Sequence, residues 1–257
     1  MIEKKSIFVV AGKGGTGKTT ISGLLLKYLT QNSNKPVLAI DADPAACLGG
    51  LLGIEVEETL GDIRENAAED PATISSGMSK HEYFDYKIQS SIAESGKIDL
   101  LTMGKPEGPG CYCYVNSIVR KCVDTLSSKY DFVVIDCEAG LEHISRRTTV
   151  NIDCLFLISN ISVKGVKVAD EIIRLVESLK TTAKKKILIF NRVRDKEDEE
   201  LISRLVNKYI DTKDIDLIGK IVEDKGILEM EMNEESILVL PDNSPGFVSF
   251  LDIIKEI

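Results

Sequence analysis

Short, uninterrupted runs of large apolar residues alternate with segments of helical periodicity along most of this chain. Such runs are typical of strands that are buried on both faces of a parallel sheet. The alternation therefore predicts an α/β fold, with a mostly parallel central sheet of seven or eight strands and helices on both faces. The predicted strands span residues 7–11, 37–41, 100–103, 132–136, 155–158, 187–191 and 217–221, with a short eighth candidate at 237–240.

Helices are predicted where apolar residues recur three and four positions apart. The clearest patterns cover residues 21–29, 168–179 and 201–209, and a fourth, amphipathic pattern covers 247–257. Residues 55–96 are polar and only weakly periodic, which indicates a helical insertion on one face of the sheet. No repeat or low-complexity stretch divides the chain, so residues 1–257 are expected to form a single domain.

The composition is ordinary for a globular protein, with 43% hydrophobic and 28% charged residues. The formal net charge of −9 argues against general nucleic-acid binding, because that binding relies on clustered Lys and Arg. The one basic run, residues 180–186, is predicted to be a solvated helix C-terminus whose lysines complement the helix dipole. The charge pattern therefore predicts no nucleic-acid partner.

Membrane attachment is not expected either. The first five residues lead directly into a predicted core strand, and no apolar run approaches the length of a transmembrane helix. The amphipathic C-terminal segment carries Asp252 and Glu256 with only Lys255 as a base, whereas membrane-surface helices usually have a basic polar face. The sequence therefore predicts a cytoplasmic protein without a membrane partner.

A glycine-rich loop separates the first predicted strand from the first predicted helix. It satisfies the pattern G-x-x-x-x-G-K-[ST], in which backbone N–H groups and the helix N-terminus surround phosphate groups. Lys18 can reach the β- and γ-phosphates, and the Thr19 hydroxyl can bind Mg²⁺. A dinucleotide-binding G-x-G-x-x-G turn with Asp41 as the ribose acid is the alternative, but it needs neither Lys18 nor Thr19. The loop residues are Gly12, Lys13, Gly14, Gly15, Thr16, Gly17, Lys18, Thr19 and Thr20.

Acidic residues at the ends of predicted strands can complete a hydrolytic site. Asp136 ends the strand 132–136, an arrangement in which an aspartate holds Mg²⁺, and Asp41 can support the same metal shell. Asp43 precedes Pro44, which favours an extended conformation at Asp43, and its carboxylate can orient or deprotonate the attacking water. Each acid alone is also typical of a helix N-cap, but their order after the glycine-rich loop favours hydrolysis.

The first lysine of the loop, Lys13, adds a resemblance to a known class. Together with Lys18 it resembles the deviant Walker A motif of the P-loop ATPases that include MinD, ParA and the nitrogenase iron protein. The resemblance implies an ATP-driven homodimer in which Lys13 crosses the interface to the partner's nucleotide. Lys13, Lys18 and Asp43 would then act together in catalysis.

The same resemblance covers the region of the base. It implies that Asn191 contacts the adenine, with Arg192 beside it in the nucleotide site. The class often carries Ile-Pro after its next strand, where this chain has Ile221, Val222 and Glu223. This departure leaves the rest of the predicted adenine pocket undefined.

Two of the six cysteines form a C-x-C pair in a Gly- and Pro-rich loop at residues 108–114. Thiols rather than disulfides are expected in a cytoplasmic chain. Two thiolates, Cys111 and Cys113, cannot complete a four-coordinate soft-metal site, but two chains related by a two-fold axis can form a Cys₄ site. A thiol pair without metal is the alternative. Cys122 and Cys154 are expected to be small buried residues.

The cysteine loop extends the resemblance to one branch of the class. The C-x-C pair, the Cys47-Leu48-Gly49 run and the sequence at residues 139–143 resemble the CooC-type ATPases, which insert nickel into carbon monoxide dehydrogenase or acetyl-CoA synthase. The resemblance implies that Cys111 and Cys113 bind nickel or zinc between two subunits, and that a client nickel enzyme is the partner. His143 is either a further ligand or a structural residue, and Cys47 and Cys137 are expected to pack.

Two other functions stay open. An iron–sulfur carrier or reductase of the nitrogenase-iron-protein type would also use interface cysteines, although such reductases take them from two separated segments. A positioning ATPase of the MinD or ParA type would need a basic nucleic-acid surface or a basic amphipathic tail, and this sequence has neither. The expected cofactors are ATP or ADP, Mg²⁺ and a shared Ni²⁺ or Zn²⁺.

Overall fold

The computed structural model describes residues 6–69, 80–105, 129–139, 152–178 and 183–257. Its strands are β1 (Ser6–Gly12), β2 (Val37–Ala42), β3 (Ala93–Ser95), β4 (Ile98–Thr102), β5 (Phe132–Ala139), β6 (Ile152–Ser159), β7 (Ala183–Val193) and β8 (Leu217–Val222). These strands form one sheet in the order β3-β4-β2-β5-β1-β6-β7-β8. Neighbouring strands are parallel except for β3 and β4, which are antiparallel.

Helices cover both faces of the sheet. They are α1 (Lys18–Asn32), α2 (Cys47–Leu52), α3 (Leu60–Glu69), α4 (Lys80–Ser90), α5 (Val163–Ser178), α6 (Lys196–Tyr209), α7 (Lys225–Met232) and α8 (Pro245–Lys255), with 3₁₀ turns at Thr212–Asp214 and Ile237–Val239. In β1, Phe8 and Val10 pack with α1 and α8, whereas Val9 and Ala11 pack with α5 and α6. This two-sided burial explains the uninterrupted apolar runs, and it confirms the predicted α/β fold with a mostly parallel sheet.

The polar segment 55–96 contains α3 and α4, and it also contains β3. The polar pattern did not predict this strand, which has three residues and pairs with β4 at the edge of the sheet. Two of its three side chains are exposed, so the segment lacks the apolar run by which the buried strands were recognised. A short edge strand of this kind therefore produces no recognisable hydrophobic pattern.

Residues 237–240 do not form the short strand suggested by their apolar pattern. Ile237–Val239 is a 3₁₀ turn, and the Ser236 hydroxyl accepts a hydrogen bond from the Leu238 N–H at 3.3 Å. The Ile237 side chain is buried against Gly23 of α1, where any larger residue would collide with it. A short apolar run does not distinguish a strand from another buried segment, and here packing on a helix satisfies it.

The basic run also differs from the prediction. Of residues 180–186 the structure describes 183–186, and these begin β7 instead of ending a helix. Lys184 pairs with Asp153 at 2.7 Å, and Lys186 pairs with Glu177 at 3.2 Å. These two lysines therefore neutralise neighbouring acids.

Parallel pairing brings the loop and the acids to one edge of the sheet. The register of β2 and β5 aligns Asp41 with Asp136, and the register of β1 and β5 aligns Gly12 with Ala139. The carboxyl ends of parallel strands are where open α/β sheets bind ligands. The sheet thus collects residues that are far apart in sequence.

Candidate nucleotide-binding site

The glycine-rich loop has the backbone conformation that its sequence requires. Gly17 has a φ of +91° directly before α1, and a Cβ there would lie 2.3 Å from the Asn191 side chain. A Cβ at Gly12 would lie 2.2 Å from the Ile158 carbonyl oxygen. Inside the loop, the Thr16 hydroxyl donates to the Lys13 carbonyl at 2.8 Å. Only glycine fits at residues 12 and 17, which explains the spacing of the motif.

A cavity of about 880 Å³ lies over this loop and the start of α1. Lys18 and Thr19 line it, and Lys18 is 7% exposed because the loop encloses its side chain. Lys13 is half-buried and does not line the cavity. The full lining is Gly14, Gly15, Gly17, Lys18, Thr19, Thr20, Asp43, Cys47, Gly50, Leu51, Glu138, Arg192, Glu231, Glu234 and Glu235.

Asp41 organises the segment that carries Asp43. The Asp41 carboxylate is fully buried and accepts hydrogen bonds from the Asp43 N–H at 3.1 Å and the Leu48 N–H at 2.8 Å. Burial raises the pKa of Asp41 to about 6, although these two hydrogen bonds favour the ionised form. Asp43 accepts from the Ala45 N–H at 2.8 Å and lines the cavity. Asp41 thus lies beneath the cavity and holds Asp43 at its wall.

Asp136 is the second buried acid beneath the cavity. Its Oδ1 accepts a hydrogen bond from the Ser22 hydroxyl of α1 at 3.1 Å, and its Oδ2 has no partner within the described ranges. Burial raises the pKa of Asp136 to about 7; the nearby Asp41 charge adds to this, while Thr19, Ser22 and Lys18 favour the ionised form. A buried carboxylate with a free oxygen is well suited to a cation.

The residues present fit a magnesium ion. Mg²⁺ prefers oxygen ligands, and the Thr19 hydroxyl, Asp136 and Asp41 supply oxygens at one edge of the sheet. The unpartnered Asp136 Oδ2 and the raised pKa values of both acids indicate that a positive charge there would be favourable. When bound, the ion would neutralise phosphate charge; the protein side chains orient it.

Asn191 and Arg192 lie at the end of β7, beside the loop. The Asn191 amide donates to the Thr16 carbonyl at 2.9 Å, and its oxygen accepts from the Arg192 N–H at 3.0 Å. Arg192 has a φ of +61°, and the register of β7 with β8 shifts at this residue. The hydrogen bond between Asn191 and Thr16 of the loop was not predicted, because no sequence pattern connects two residues so far apart.

A smaller cavity of about 310 Å³ adjoins Arg192, which lines both cavities. Ile221, Val222 and Glu223, at the point where the resemblance breaks down, line this smaller cavity together with α1 and α7. The remaining residues of its wall are Thr20, Ile21, Leu24, Asn191, Asp224, Lys225, Ile227, Leu228 and Glu231. Its size and position suit a nucleobase next to the phosphate cavity.

Three glutamates at the end of α7 and just beyond it were missed by the sequence reasoning. Glu231, Glu234 and Glu235 line the larger cavity, although more than two hundred residues separate them from the glycine-rich loop. A helical pattern with acidic residues normally indicates a solvated surface. Only the tertiary structure places these acids at the cavity.

The cysteines fall into three groups. Cys111, Cys113 and Cys122 lie outside the described residues, as do Gly140 and His143. Cys137 and Cys154 are buried as predicted; burial raises the pKa of the Cys137 thiol above its usual range and that of Cys154 to about 12. Cys47 was expected to pack but is exposed at the wall of the larger cavity, because it begins α2 at the edge of the sheet.

Two further features are absent from the described residues. In the described ranges, His, Cys, Asp and Glu side chains form no group of three that could hold a metal ion. None of the helices in those ranges is both long and apolar enough to cross a membrane.

Comparison with known proteins agrees with this geometry. The fold and the loop define a P-loop nucleotide-binding protein. The protein-family model of the CobQ/CobB/MinD/ParA nucleotide-binding domain matches residues 7–237 of this chain. The chain therefore belongs to this family, and it is a P-loop ATPase of the MinD/ParA type.

Three similar proteins illustrate the range of the family. An uncharacterized ATP-binding protein of Methanocaldococcus jannaschii is 40% identical over 253 residues, covering 98% of each chain. The carbon monoxide dehydrogenase accessory protein CooC of Rhodospirillum rubrum is 32% identical over 182 residues, 66% of this chain and 68% of CooC. The septum site-determining protein MinD of Pyrococcus horikoshii, solved with Mg-ADP, is 22% identical with a TM-score of 0.65, covering 97% of this chain and 94% of MinD.

Proposed function

We propose that this chain is a cytoplasmic, ATP-hydrolysing metallochaperone that assists nickel insertion into carbon monoxide dehydrogenase or acetyl-CoA synthase. The observation that carries the proposal is the Cys111-x-Cys113 pair, in a chain that is 32% identical to an accessory protein of carbon monoxide dehydrogenase. In a homodimer the two pairs supply four thiolates, which is the ligand number that a soft divalent metal requires. Nickel, or zinc in its place, is the cargo.

The nucleotide site has distinct roles in this proposal. Lys18 and the loop N–H groups bind the phosphates, while Thr19, Asp136 and Asp41 hold Mg²⁺. Asp43 orients or deprotonates the attacking water, and its position in the cavity wall supports this role. Lys13 acts on the nucleotide of the second subunit, so two chains must close before either site is complete.

The base is assigned to the smaller cavity. Arg192 borders both cavities, and Asn191 fixes the loop through its contact with the Thr16 carbonyl. These positions support a role for both residues in nucleotide binding. Val222 follows Ile221 at the place where the class often carries Ile-Pro, and it lines this cavity.

A MinD-like positioning ATPase is the second candidate function. Sequence similarity to MinD proteins over 98% of the chain favours it. Against it, the C-terminal helix α8 buries Phe247, Phe250, Ile253 and Ile254 in the core, so its apolar face is already occupied. A helix packed in this way is a poor membrane anchor.

Metal analysis combined with sizing tests the proposal. We expect the anaerobic, reduced protein with ATP to elute as a dimer that holds about one nickel or zinc ion per two chains, the stoichiometry of a shared Cys₄ site. The Cys111→Ser/Cys113→Ser variant should lose the metal. Cys47→Ser is the matched control, because Cys47 is an exposed thiol at the nucleotide cavity, and it should keep the metal.

Other results separate the alternatives. Equal nickel binding by the double variant would overturn the interface site. A brown dimer that contains iron and sulfide would instead support the iron–sulfur function. A metal-free dimer that binds anionic vesicles only with ATP would support the positioning function.

A further inference from the structure

β4 ends with a buried hydroxyl that has no hydrogen-bond partner. Thr102 is 2% exposed, and its Oγ1 makes no hydrogen bond within the ranges that the structure describes. An unpaired buried hydroxyl is costly, and native proteins rarely retain one without a reason. The nucleotide roles assigned above do not use Thr102.

The sheet register places Thr102 beside the proposed magnesium acids. Thr102 aligns with Asp41 across β4 and β2, and Asp41 aligns with Asp136 across β2 and β5. Aligned residues of neighbouring parallel strands project to the same face. That face is the one covered by α1, because Leu100 and Ala39, two residues earlier in their strands, pack in the same cluster as α1.

The backbone keeps these two strand ends together. The Met103 N–H donates to the Asp41 carbonyl at 2.8 Å, so the pairing continues one residue beyond β4. The Met103 carbonyl in turn accepts from the Gly61 N–H at 2.9 Å. These two hydrogen bonds of the Met103 backbone therefore hold Thr102 next to Asp41.

The Asp41 carboxylate has room for another donor. It accepts one hydrogen bond on each oxygen, from the N–H groups of Asp43 and Leu48. An ionised carboxylate offers about four acceptor positions. Two positions stay free, and a buried donor without a partner lies at the aligned position of the next strand.

We propose that Thr102 is a positioning residue of the magnesium site. Its hydroxyl donates to the Asp41 carboxylate when Asp41 supports the metal shell, and it fixes the orientation of that carboxylate without touching the nucleotide. Partners behind a metal-binding group commonly change metal affinity about 10- to 100-fold. The inference rests on the magnesium role proposed for Asp41, and it is independent of nickel.

Two variants of Thr102 separate the hydroxyl from the shape of the side chain. Thr102→Val keeps the shape and removes the hydroxyl, whereas Thr102→Ser keeps the hydroxyl. We expect Thr102→Val to need about tenfold more Mg²⁺ for half-maximal binding of a fluorescent ATP analogue, and Thr102→Ser to restore the wild-type requirement. Without Mg²⁺ or nucleotide, the Tm of Thr102→Val should equal or exceed that of the wild type, because the variant removes an unpaired hydroxyl.

Two further variants serve as controls. Ser91→Ala removes a hydroxyl that is buried elsewhere and donates to the Ile88 carbonyl, and it should leave the Mg²⁺ requirement unchanged. Asp41→Asn should raise the requirement at least as much as Thr102→Val. If Asp41→Asn behaves like the wild type, the magnesium role of Asp41 fails and the inference about Thr102 fails with it.

The remaining outcomes decide the inference itself. When Asp41→Asn shows the expected loss, an unchanged Mg²⁺ requirement in Thr102→Val overturns the role of Thr102. A lower Tm of Thr102→Val without Mg²⁺, together with no rescue by serine, also overturns it, since that pattern indicates packing alone.

Discussion

The buried acid Asp136 is suited to the proposed magnesium site, but its ionisation lowers the stability of the fold. It is 1% exposed, one of its oxygens has no partner in the described ranges, and burial raises its pKa to about 7. Such a group binds a proton more tightly in the folded chain than in the unfolded chain. Its contribution to stability is therefore present at low pH and is lost as the pH rises from about 4 to about 7.

Asp136→Asn should stabilise the nucleotide-free protein at pH 8. The amide avoids burying a charge. The raised pKa corresponds to an ionisation cost of about 4 kcal/mol at pH 8 and about 2 kcal/mol at pH 5, so we expect the free energy of unfolding to rise more at pH 8 than at pH 5. Thermal unfolding at both pH values measures this difference. The same variant should lose Mg²⁺-dependent hydrolysis, which would illustrate the opposition of stability and function at an active site.

A surface aspartate provides the control for this prediction. Asp252 is exposed and pairs with Lys255, so Asp252→Asn should change the stability little at either pH. An equal effect of Asp136→Asn at pH 5 and pH 8 would contradict the assignment of its cost to ionisation.

At the scale of secondary-structure elements, Asp224 connects the end of β8 with the N-termini of two helices. Its carboxylate accepts from the Gly226 N–H of α7 and the Gly246 N–H of α8, each at 2.8 Å, and from the Ser244 hydroxyl. Burial opposes ionisation, but these hydrogen bonds outweigh it and lower the pKa of Asp224 below its usual range. Asp224 and α7 form one wall of the smaller cavity.

Asp224→Ala should therefore weaken nucleotide binding more than turnover. Loss of the cap frees the start of α7, and we expect KM for ATP to rise about tenfold with kcat nearly unchanged, alongside a loss of about 1–3 kcal/mol in stability. Asp211→Ala is a matched control, because Asp211 caps the 3₁₀ turn Thr212–Asp214 and does not line the cavity. A fall in kcat with unchanged KM would instead place Asp224 in the chemical step.

The helices and strands also show which elements the hydrophobic pattern predicts correctly. The buried strands were predicted because burial on both faces forces continuous apolar runs, and β1 is the clearest case. The short edge strand β3 was not predicted, because a polar edge strand lacks such a run. The 3₁₀ turn at Ile237–Val239 was not predicted either, because a short apolar run fits several buried structures. Local patterns report burial more directly than they report hydrogen bonding.

For the whole molecule, the decisive question is whether Lys13 acts across a dimer. Lys13→Ala should bind Mg-ATP nearly as well as the wild type but fail to hydrolyse it. Asp43→Ala should also bind and not hydrolyse. Mixing the two inactive variants should restore about a quarter of the wild-type rate, since half of randomly formed dimers are mixed and each contains one complete site.

Sizing and steady-state hydrolysis of the mixture measure this recovery. Each variant alone is the control, at the same total concentration. A mixture as inactive as its components would mean that Lys13 serves the nucleotide of its own subunit.

The sequence by itself determined the phosphate loop, the strands that carry Asp41 and Asp136, and the layered fold, because these follow from local chemistry and local burial. Only the tertiary structure decided that Asn191 holds the loop, that Cys47 and the glutamates Glu231, Glu234 and Glu235 border the cavity, and that Thr102 lies beside Asp41. The physical reason is the parallel sheet: its register and strand order bring distant residues into contact, and neither is written in any local pattern.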